Sequence, residues 1–483
     1  MSVGSSLIPG LIDRMCGVVG PDHVLTIPDD IAPYRFDGRG EGGGVPDAVV
    51  RPDCAQQVSA LVALAAETGM RIVVQGGRTG LMGAGLSREN VQPGESGGDI
   101  VLNLDRLNRH IDIDPANRTA TVDAGVRLSA LNAAAAEHGL FFPIDLGADP
   151  SIGGMIAANT GGARLLRYGD VRTNLMAVDM VRADAAGTML SLGAPLWKNN
   201  SGLDLKQLLV GSGGSMGIVT RATVALQPLP SVQMTALVAL RDADAALPLL
   251  LELEAQFGTL LTAFEGISAH AMTAALTHVQ TLRAPFAAVP DYAVLIELSA
   301  GAALDAAMLE EKLGTVLEPM MMAVDAAIVD IAIDHRGRLW AIRHALTEGL
   351  RAAGAVVACD IALRRGDVMR FRSAMAARLG TETPALVPHD FGHIGDGGLH
   401  YNLVWPRHAG PPDQAVMDHA RASVFACVVD EFGGSFSAEH GVGPRNIKHY
   451  ARFVASDVRR LSGEVQRLLA PVPLGRIDFG TME

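Results

Sequence analysis

Three glycine-rich stretches in one half of the chain constrain its fold more than any other feature. The first, Gln75-Gly76-Gly77-Arg78-Thr79-Gly80-Leu81-Met82-Gly83, follows directly on Ile72-Val73-Val74, which reads as a strand. The second runs from Asp149-Pro150-Ser151-Ile152-Gly153-Gly154 to Asn159-Thr160-Gly161-Gly162, and the third is Gly211-Ser212-Gly213-Gly214-Ser215-Met216-Gly217-Ile218-Val219. Glycine lets a backbone turn sharply and bring several N–H groups to one anion, an approach that side chains would block. Thr79 adds a hydroxyl donor and Arg78 a charge. One such stretch means little, because turns everywhere use glycine. Three of them, each with Ser, Thr or Asn and all in one domain, favour a long extended ligand with a diphosphate. The spacing is neither GxGxxG opening a helix nor GxxxxGK[ST], which disfavours a Rossmann dinucleotide site and a P-loop.

Composition narrows the class further. A chain of 483 residues with 49% hydrophobic and 19% charged residues has material for two or three cored modules and no disorder signature. Its 39 Lys and Arg against 52 Asp and Glu give a formal charge of −13, which argues against nucleic acid and against an anionic membrane surface as partners. The aromatic fraction of 4% argues against base-stacking platforms. Cys16, Cys54, Cys359 and Cys427 form no CxxC pair, so zinc-finger and chain-ligated iron–sulfur readings lack support. Asp13 and Arg14 interrupt the early apolar stretch, and no apolar run reaches the roughly eighteen residues of a membrane helix. The expected compartment is the cytoplasm, with no integral membrane segment.

Along the chain, Ala48-Val49-Val50 and Arg71-Ile72-Val73-Val74 read as strands flanking a helix over 58–66, closed by Gly69. A second helix is expected from Leu128 to His138. Pro228 and Pro230 punctuate a linker, after which the helical stretches 243–257 and 302–317 alternate with strands such as 292–297. This predicts an α+β domain with helices packed on one sheet, then a mainly helical segment with one glycine-rich interruption.

A second constellation is His393-Ile394-Gly395-Asp396-Gly397-Gly398-Leu399-His400-Tyr401-Asn402, followed by Ser437-Ala438-Glu439-His440-Gly441. On a strand His400 and Asn402 face one side. Two imidazoles and a carboxylate leave an open coordination position, as in catalytic zinc sites. The order is neither a zinc-finger spacing nor the HExxH of a helix-borne protease. Two histidines in one glycine-rich loop favour a shared site over separate surface groups. For Asp396 a turn role between glycines competes with ligation. His389 and His408 read as incidental.

The motifs carry a resemblance. Gln75 to Leu81, Asp149 to Gly162, Tyr168-Gly169, the run from Lys198 to Leu205 and Gly211 to Val219 resemble the FAD-binding (PCMH-type) domain of vanillyl-alcohol-oxidase-type flavoproteins. The resemblance implies FAD contacts at Gly76, Gly77, Arg78, Thr79, Gly80, Leu81, Pro150, Ser151, Gly153, Gly154, Asn159, Thr160, Gly161, Gly162, Gly217, Ile218 and Val219. The first loop would grip the diphosphate and Gly217 to Val219 would lie against the adenine half. No His stands in that loop, so non-covalent FAD is expected. The later region resembles FAD-linked oxidases acting on D-2-hydroxy acids, the subfamily of D-2-hydroxyglutarate and D-lactate dehydrogenases. That likeness implies a divalent metal, zinc or manganese, on His393, His400 and Glu439, with His440 as base and Asn402 beside them. Trp340-Ala341-Ile342-Arg343 with Thr347 matches the family's substrate-carboxylate motif. Arg343 and Thr347 are four apart on one helix face, and a guanidinium can bind a carboxylate in bidentate fashion.

The chain also departs from the family pattern. Gly213 stands where Glu is expected, Ala358 where relatives that prefer a second carboxylate carry Lys, Arg364 where Pro is expected and Gly398 where Asn is usual. Leu474-Gly475-Arg476-Ile477 replaces an Asn-Pro-Gly-Lys turn. Loss of the Lys weakens recognition of a distal carboxylate unless Arg364, Arg365 or another cation substitutes.

The expected architecture is thus α+β. A two-part PCMH-type FAD domain (1–229) precedes an α+β substrate or cap domain with an antiparallel sheet (230–430), and a helical segment (431–483) returns to the FAD domain. The expected reaction is FAD-dependent, metal-assisted oxidation of a D-2-hydroxy acid (D-2-hydroxyglutarate, D-lactate or D-malate class) to the 2-oxo acid. An external acceptor, an electron-transfer flavoprotein or a quinone, would reoxidise the flavin, and relatives are often homodimers. The rivals are a flavin-free metallohydrolase and another FAD oxidase or transferase reaction on the same fold.

Overall fold

The computed structural model describes residues 10–89 and 98–480. The chain forms two compact units. The first takes residues up to 160, then 170–228 and 439 onward; the second takes Gly161–Gly169 and Leu229–Ala438. Among the described residues no helix is long and apolar enough to cross a membrane.

The first unit holds two main sheets. In one, Ala48–Val50, Asp99–Asn103 and Arg71–Gln75 run parallel, and Val24–Leu25 adds an antiparallel edge. Val49, Val73 and Val101 are fully buried there against Ile31, as expected for a parallel sheet covered on its faces. Helix Ala55–Thr68 crosses between two of these strands. The other sheet is antiparallel, in the order Ile111–Asp114, Thr119–Asp123, Ile218–Ala225, Leu175–Val181, Met189–Gly193. The segment around Leu474 lies alongside Arg71–Gln75, pairing in parallel with Ile72.

The second unit is built on one antiparallel sheet. Its order is Ile328–Asp334, Val232–Leu240, Tyr292–Ala300, Leu261–Ser268, Val387–Gly392, Gly398–Pro406, Gly354–Val357, with Asp360–Ala362 also paired to Gly398–Pro406. Helices Ala269–His278 and Arg338–Ala353 cover one face, where Ala271, Ala275, Leu339, Ile342 and Leu346 pack on Leu237, Ala263, Ile267 and Leu295. On the strands, residues two apart share a face, and the register aligns Ile267 with Phe391, Phe391 with His400, and His400 with Asp360. Glu265 stands two residues before Ile267, so one sheet face carries Glu265, Phe391, His400 and Asp360 in sequence.

The excursion Gly161–Gly169 is part of this unit. Arg164 on it donates to both oxygens of Glu297 at 2.8 and 3.0 Å, and Glu297 also accepts from Trp340 Nε1 (2.9 Å) and Thr262 Oγ1 (2.7 Å). A buried carboxylate is tolerable only when so satisfied.

Candidate functional site

In the first unit Gln75 ends its strand buried, and its Nε2 donates to the carbonyls of Tyr34 and Gly85, both at 2.9 Å. That strut sets the start of the glycine loop. A Cβ on Gly76 would stand 2.2 Å from Ser151 Oγ, and one on Gly77 2.3 Å from Arg127 Nη1. The first and second glycine stretches therefore meet with no room for side chains. Ser151 fixes the meeting, because its Oγ accepts from Gly77 N (3.2 Å) and from Gly154 N (3.4 Å). Gly153 packs equally closely, its Cβ direction ending 2.9 Å from Ala124 Cβ. Pro150 contributes its carbonyl to Leu128 N.

Arg78 places its guanidinium 4.9 Å from the centre of the Tyr34 ring and donates to the Pro33 carbonyl, so its charge is anchored beside the loop. Beyond Thr79, Gly80 has open space where a Cβ would point, and Leu81 gives its carbonyl to Arg445. Asn159 caps its helix and binds Asp170, and Thr160 N bonds back to Met155 O. Gly161 and Gly162 begin the excursion that belongs to the second unit. Gly217 leads into the buried Ile218 and Val219 of strand Ile218–Ala225. Gly213 has φ 59°, and its Cβ direction is filled by Ile477 Cδ1 at 2.3 Å. A Glu side chain there would be both strained and obstructed, so the departure at this position has a steric cause. Sequence reasoning missed Arg127, whose guanidinium reaches the carbonyls of Gly77 and Asp149 and the carboxylate of Asp105. The close-packed glycines and the opening at Gly80 fit a diphosphate-bearing cofactor.

In the second unit the loop from His393 to Gly398 turns the chain between strands Val387–Gly392 and Gly398–Pro406. Asp396 serves that turn, its Oδ1 accepting from Gly398 N at 2.9 Å. His393 and His400 are brought together, with ring centres 5.1 Å apart and the rings edge to face. Each Nδ1 faces a carboxylate: His393 Nδ1 lies 2.6 Å from Glu265 Oε1, and His400 Nδ1 3.5 Å from Asp360 Oδ1. Glu265 is buried, and its other oxygen accepts from Arg343 Nε at 2.7 Å. Burial alone would raise its pKa, but the His393 and Arg343 charges and hydrogen bonds outweigh that and bring it down to about 2.

Arg343 also lies over the Phe391 ring, 4.8 Å from its centre. Thr347, one turn along helix Arg338–Ala353, is exposed. Asn402 is buried and hydrogen-bonded to the His400 carbonyl, and it pairs in register with His389. Ala438 N donates to the Asp360 carbonyl, and Glu439 and His440 follow by one and two peptide bonds. Within the second unit His393, His400, Glu265 and Asp360 thus bring imidazole nitrogens and carboxylate oxygens to one place. Histidine and carboxylate donors of this kind suit zinc or manganese. Arg364 is bound to Asp367 at 2.8 Å and Arg365 to Glu254 at 2.5 Å, so both cations near the Ala358 departure already have carboxylate partners. Sequence reasoning missed Glu265 and gave Asp360 no role. The available signal was a Glu inside the apolar strand Leu-Thr-Ala-Phe-Glu-Gly-Ile-Ser, where only a buried partner explains a charge.

Comparison with known proteins matches residues 46–193 to an FAD binding domain and residues 229–471 to the C-terminal domain of FAD linked oxidases. A D-2-hydroxyglutarate dehydrogenase of Xanthomonas citri pv. viticola is 33% identical over 423 residues, 87% of this chain and 86% of that protein. One from Stutzerimonas stutzeri is 31% identical, covering 92% and 93%, and a mitochondrial one from Arabidopsis thaliana is 28% identical, covering 94% and 78%. The fold is shared with a solved p-cresol methylhydroxylase (TM-score 0.70, 16% identity, 96% of each chain). It is shared also with an alkyldihydroxyacetonephosphate synthase (TM-score 0.71, 14% identity, 98% of this chain and 86% of that one). By these matches the chain belongs to the FAD-linked oxidases.

Proposed function

We propose that the protein oxidises a D-2-hydroxy acid to the corresponding 2-oxo acid in an FAD-dependent, metal-assisted reaction. The observation that carries this reading is the cluster in which Glu265, His400 and Asp360 on one sheet face meet Arg343 from the covering helix and His393 from the loop between two strands. It offers a carboxylate-binding cation next to two imidazoles, which is what a short hydroxy acid needs.

Arg343 is the group to bind the substrate carboxylate, with Thr347 on the same helix and Asn402 beside His400 as further polar contacts. His393, His400 and Glu439 are the proposed metal ligands, and Asp360 supports His400 through Nδ1. A divalent metal, zinc or manganese, supplies positive charge that acidifies a nearby hydroxyl. His440 then takes the hydroxyl proton, a task suited to an imidazole with an ordinary pKa of about 6.5. Non-covalent FAD, gripped through the residues from Gly76 to Leu81, Pro150 to Thr160 and Gly217 to Val219, supplies the two-electron oxidant for the α-carbon. Gly161 and Gly162 complete the proposed cofactor-binding set. By fixing the carboxylate, Arg343 converts binding into orientation of the Cα–H bond. The reading extends to a cytoplasmic homodimer that passes electrons to an electron-transfer flavoprotein or a quinone.

The test is anaerobic mixing of the purified yellow protein with a panel of D- and L-2-hydroxy acids. Flavin absorbance should bleach with at least one D-acid and with no L-acid. Failure of every D-acid to bleach it would overturn the proposal in favour of another FAD reaction on this fold, and metal-independent turnover would point the same way.

A further inference from the structure

We propose that Glu265 is a positioning residue for this reaction, holding the metal-ligating His393 and the substrate-binding Arg343 in register with each other. The inference rests on the function proposed above and assigns a role to a residue outside it.

Glu265 sits on strand Leu261–Ser268 with its side chain 1% exposed, and its two oxygens are divided between two partners. Oε1 faces His393 Nδ1 at 2.6 Å and Oε2 accepts from Arg343 Nε at 2.7 Å. An ionised carboxylate only accepts, so the proton of His393 is fixed on Nδ1 and the lone pair on Nε2, the tautomer in which an imidazole can ligate a metal through Nε2. The same carboxylate occupies the Nε edge of the Arg343 fork. Among the described residues neither Nη group of Arg343 has a hydrogen-bond partner, which leaves that edge for an incoming carboxylate. Phe391 completes the support, lying 4.8 Å from the guanidinium and 5.3 Å, centre to centre, from the His400 ring. Two groups far apart in sequence thus take their orientation from one carboxylate, and a shift of it displaces both.

This predicts a paired effect. In purified holoenzyme, E265Q should weaken Zn2+ binding by roughly 10- to 100-fold, as loss of a carboxylate behind a ligating histidine typically does. Binding is measured by competition with a chromogenic chelator. In the same variant KM for the bleaching hydroxy acid should rise by about tenfold or more, with a smaller change in kcat, while FAD content and flavin spectrum stay as in the wild type. E265D, which keeps the charge on a shorter arm, should recover most of the Zn2+ affinity. A variant with lowered Tm but with Zn2+ affinity and KM both within twofold of wild type would make Glu265 merely structural and overturn the proposal. Should E265Q not fold, E265S, which removes the carboxylate and leaves room for water, takes its place, and Zn2+ affinity and KM both within twofold of wild type in that variant would overturn the proposal equally. Wild-type protein that binds no Zn2+ at all would instead sink the metal-assisted reading beneath it.

Discussion

The two units solve the problem of holding a ligand in opposite ways. The first works by leaving side chains out: at Gly76, Gly77 and Gly153 a single added carbon would collide with Ser151, Arg127 or Ala124. The second works by putting charge in, with Glu265 and Glu297 buried and each satisfied by several donors. A site built of backbone fails when something is added, and a site built of charge fails when something is taken away. Substitutions and treatments can therefore damage one unit and spare the other.

The largest separation should come from metal removal. Dialysis against a strong chelator is expected to abolish turnover while the flavin absorbance persists, and added Zn2+ or Mn2+ should restore it; chelated protein that keeps full activity would remove the metal from the chemistry. Next in size is H440A, expected to lower kcat by about 100-fold or more, the usual contribution of a general base, with FAD content unaltered. Wild-type rates in that variant would exclude His440. The converse damage should follow G76V. Its branched side chain would be forced onto Ser151 Oγ, and overpacking of this kind costs about 1–3 kcal/mol. FAD occupancy after gel filtration should fall while Zn2+ binding is retained; full occupancy would mean that the loop can open.

A smaller effect separates the units by pH. Glu265 has its folded pKa held near 2, below its ordinary 4.5. Its charge thus contributes stability that is fully present above pH 4.5 and is lost as pH falls from there towards 2. Urea unfolding of the wild type should weaken across that window, and E265Q should lack that component; identical profiles would contradict the buried ion pair. Smallest of all, R364A and R365A should each leave KM for any 2-hydroxy acid within twofold, because Asp367 and Glu254 already engage those cations. A large rise in KM for a dicarboxylate alone would show that one of them swings to a distal carboxylate.

The same contrast explains what the sequence revealed. Backbone-built features are local, so the glycine runs could be singled out in the sequence, although Gly153 and Gly154 lie in helix Ile152–Ala158 and not in a loop, and the helix over 58–66 emerged as Ala55–Thr68 with Gly69 beyond it. His400 and Asn402 do lie two apart on one strand, and Arg343 and Thr347, singled out by the family resemblance, do lie four apart on one helix. Charge-built features are non-local. Glu265 reaches His393 across 128 positions of chain, and nothing near Glu265 in sequence names its partner. Arg127 stayed hidden for the same reason, since its relation to Gly77 exists only after folding. Gly213 was legible only as a departure from the family pattern, whereas the fold shows Ile477 in the space a Glu side chain would take.

The nine residues Gly161–Gly169 carry one more implication, for dissecting this protein at the gene level. A fragment cut at Leu229 would look complete by family boundaries, yet it would lack Arg164 and leave Glu297 with a buried negative charge and one cation too few. The folding module and the contiguous stretch of gene are different objects here, so recombining or swapping this half between relatives means transplanting that short insert along with it.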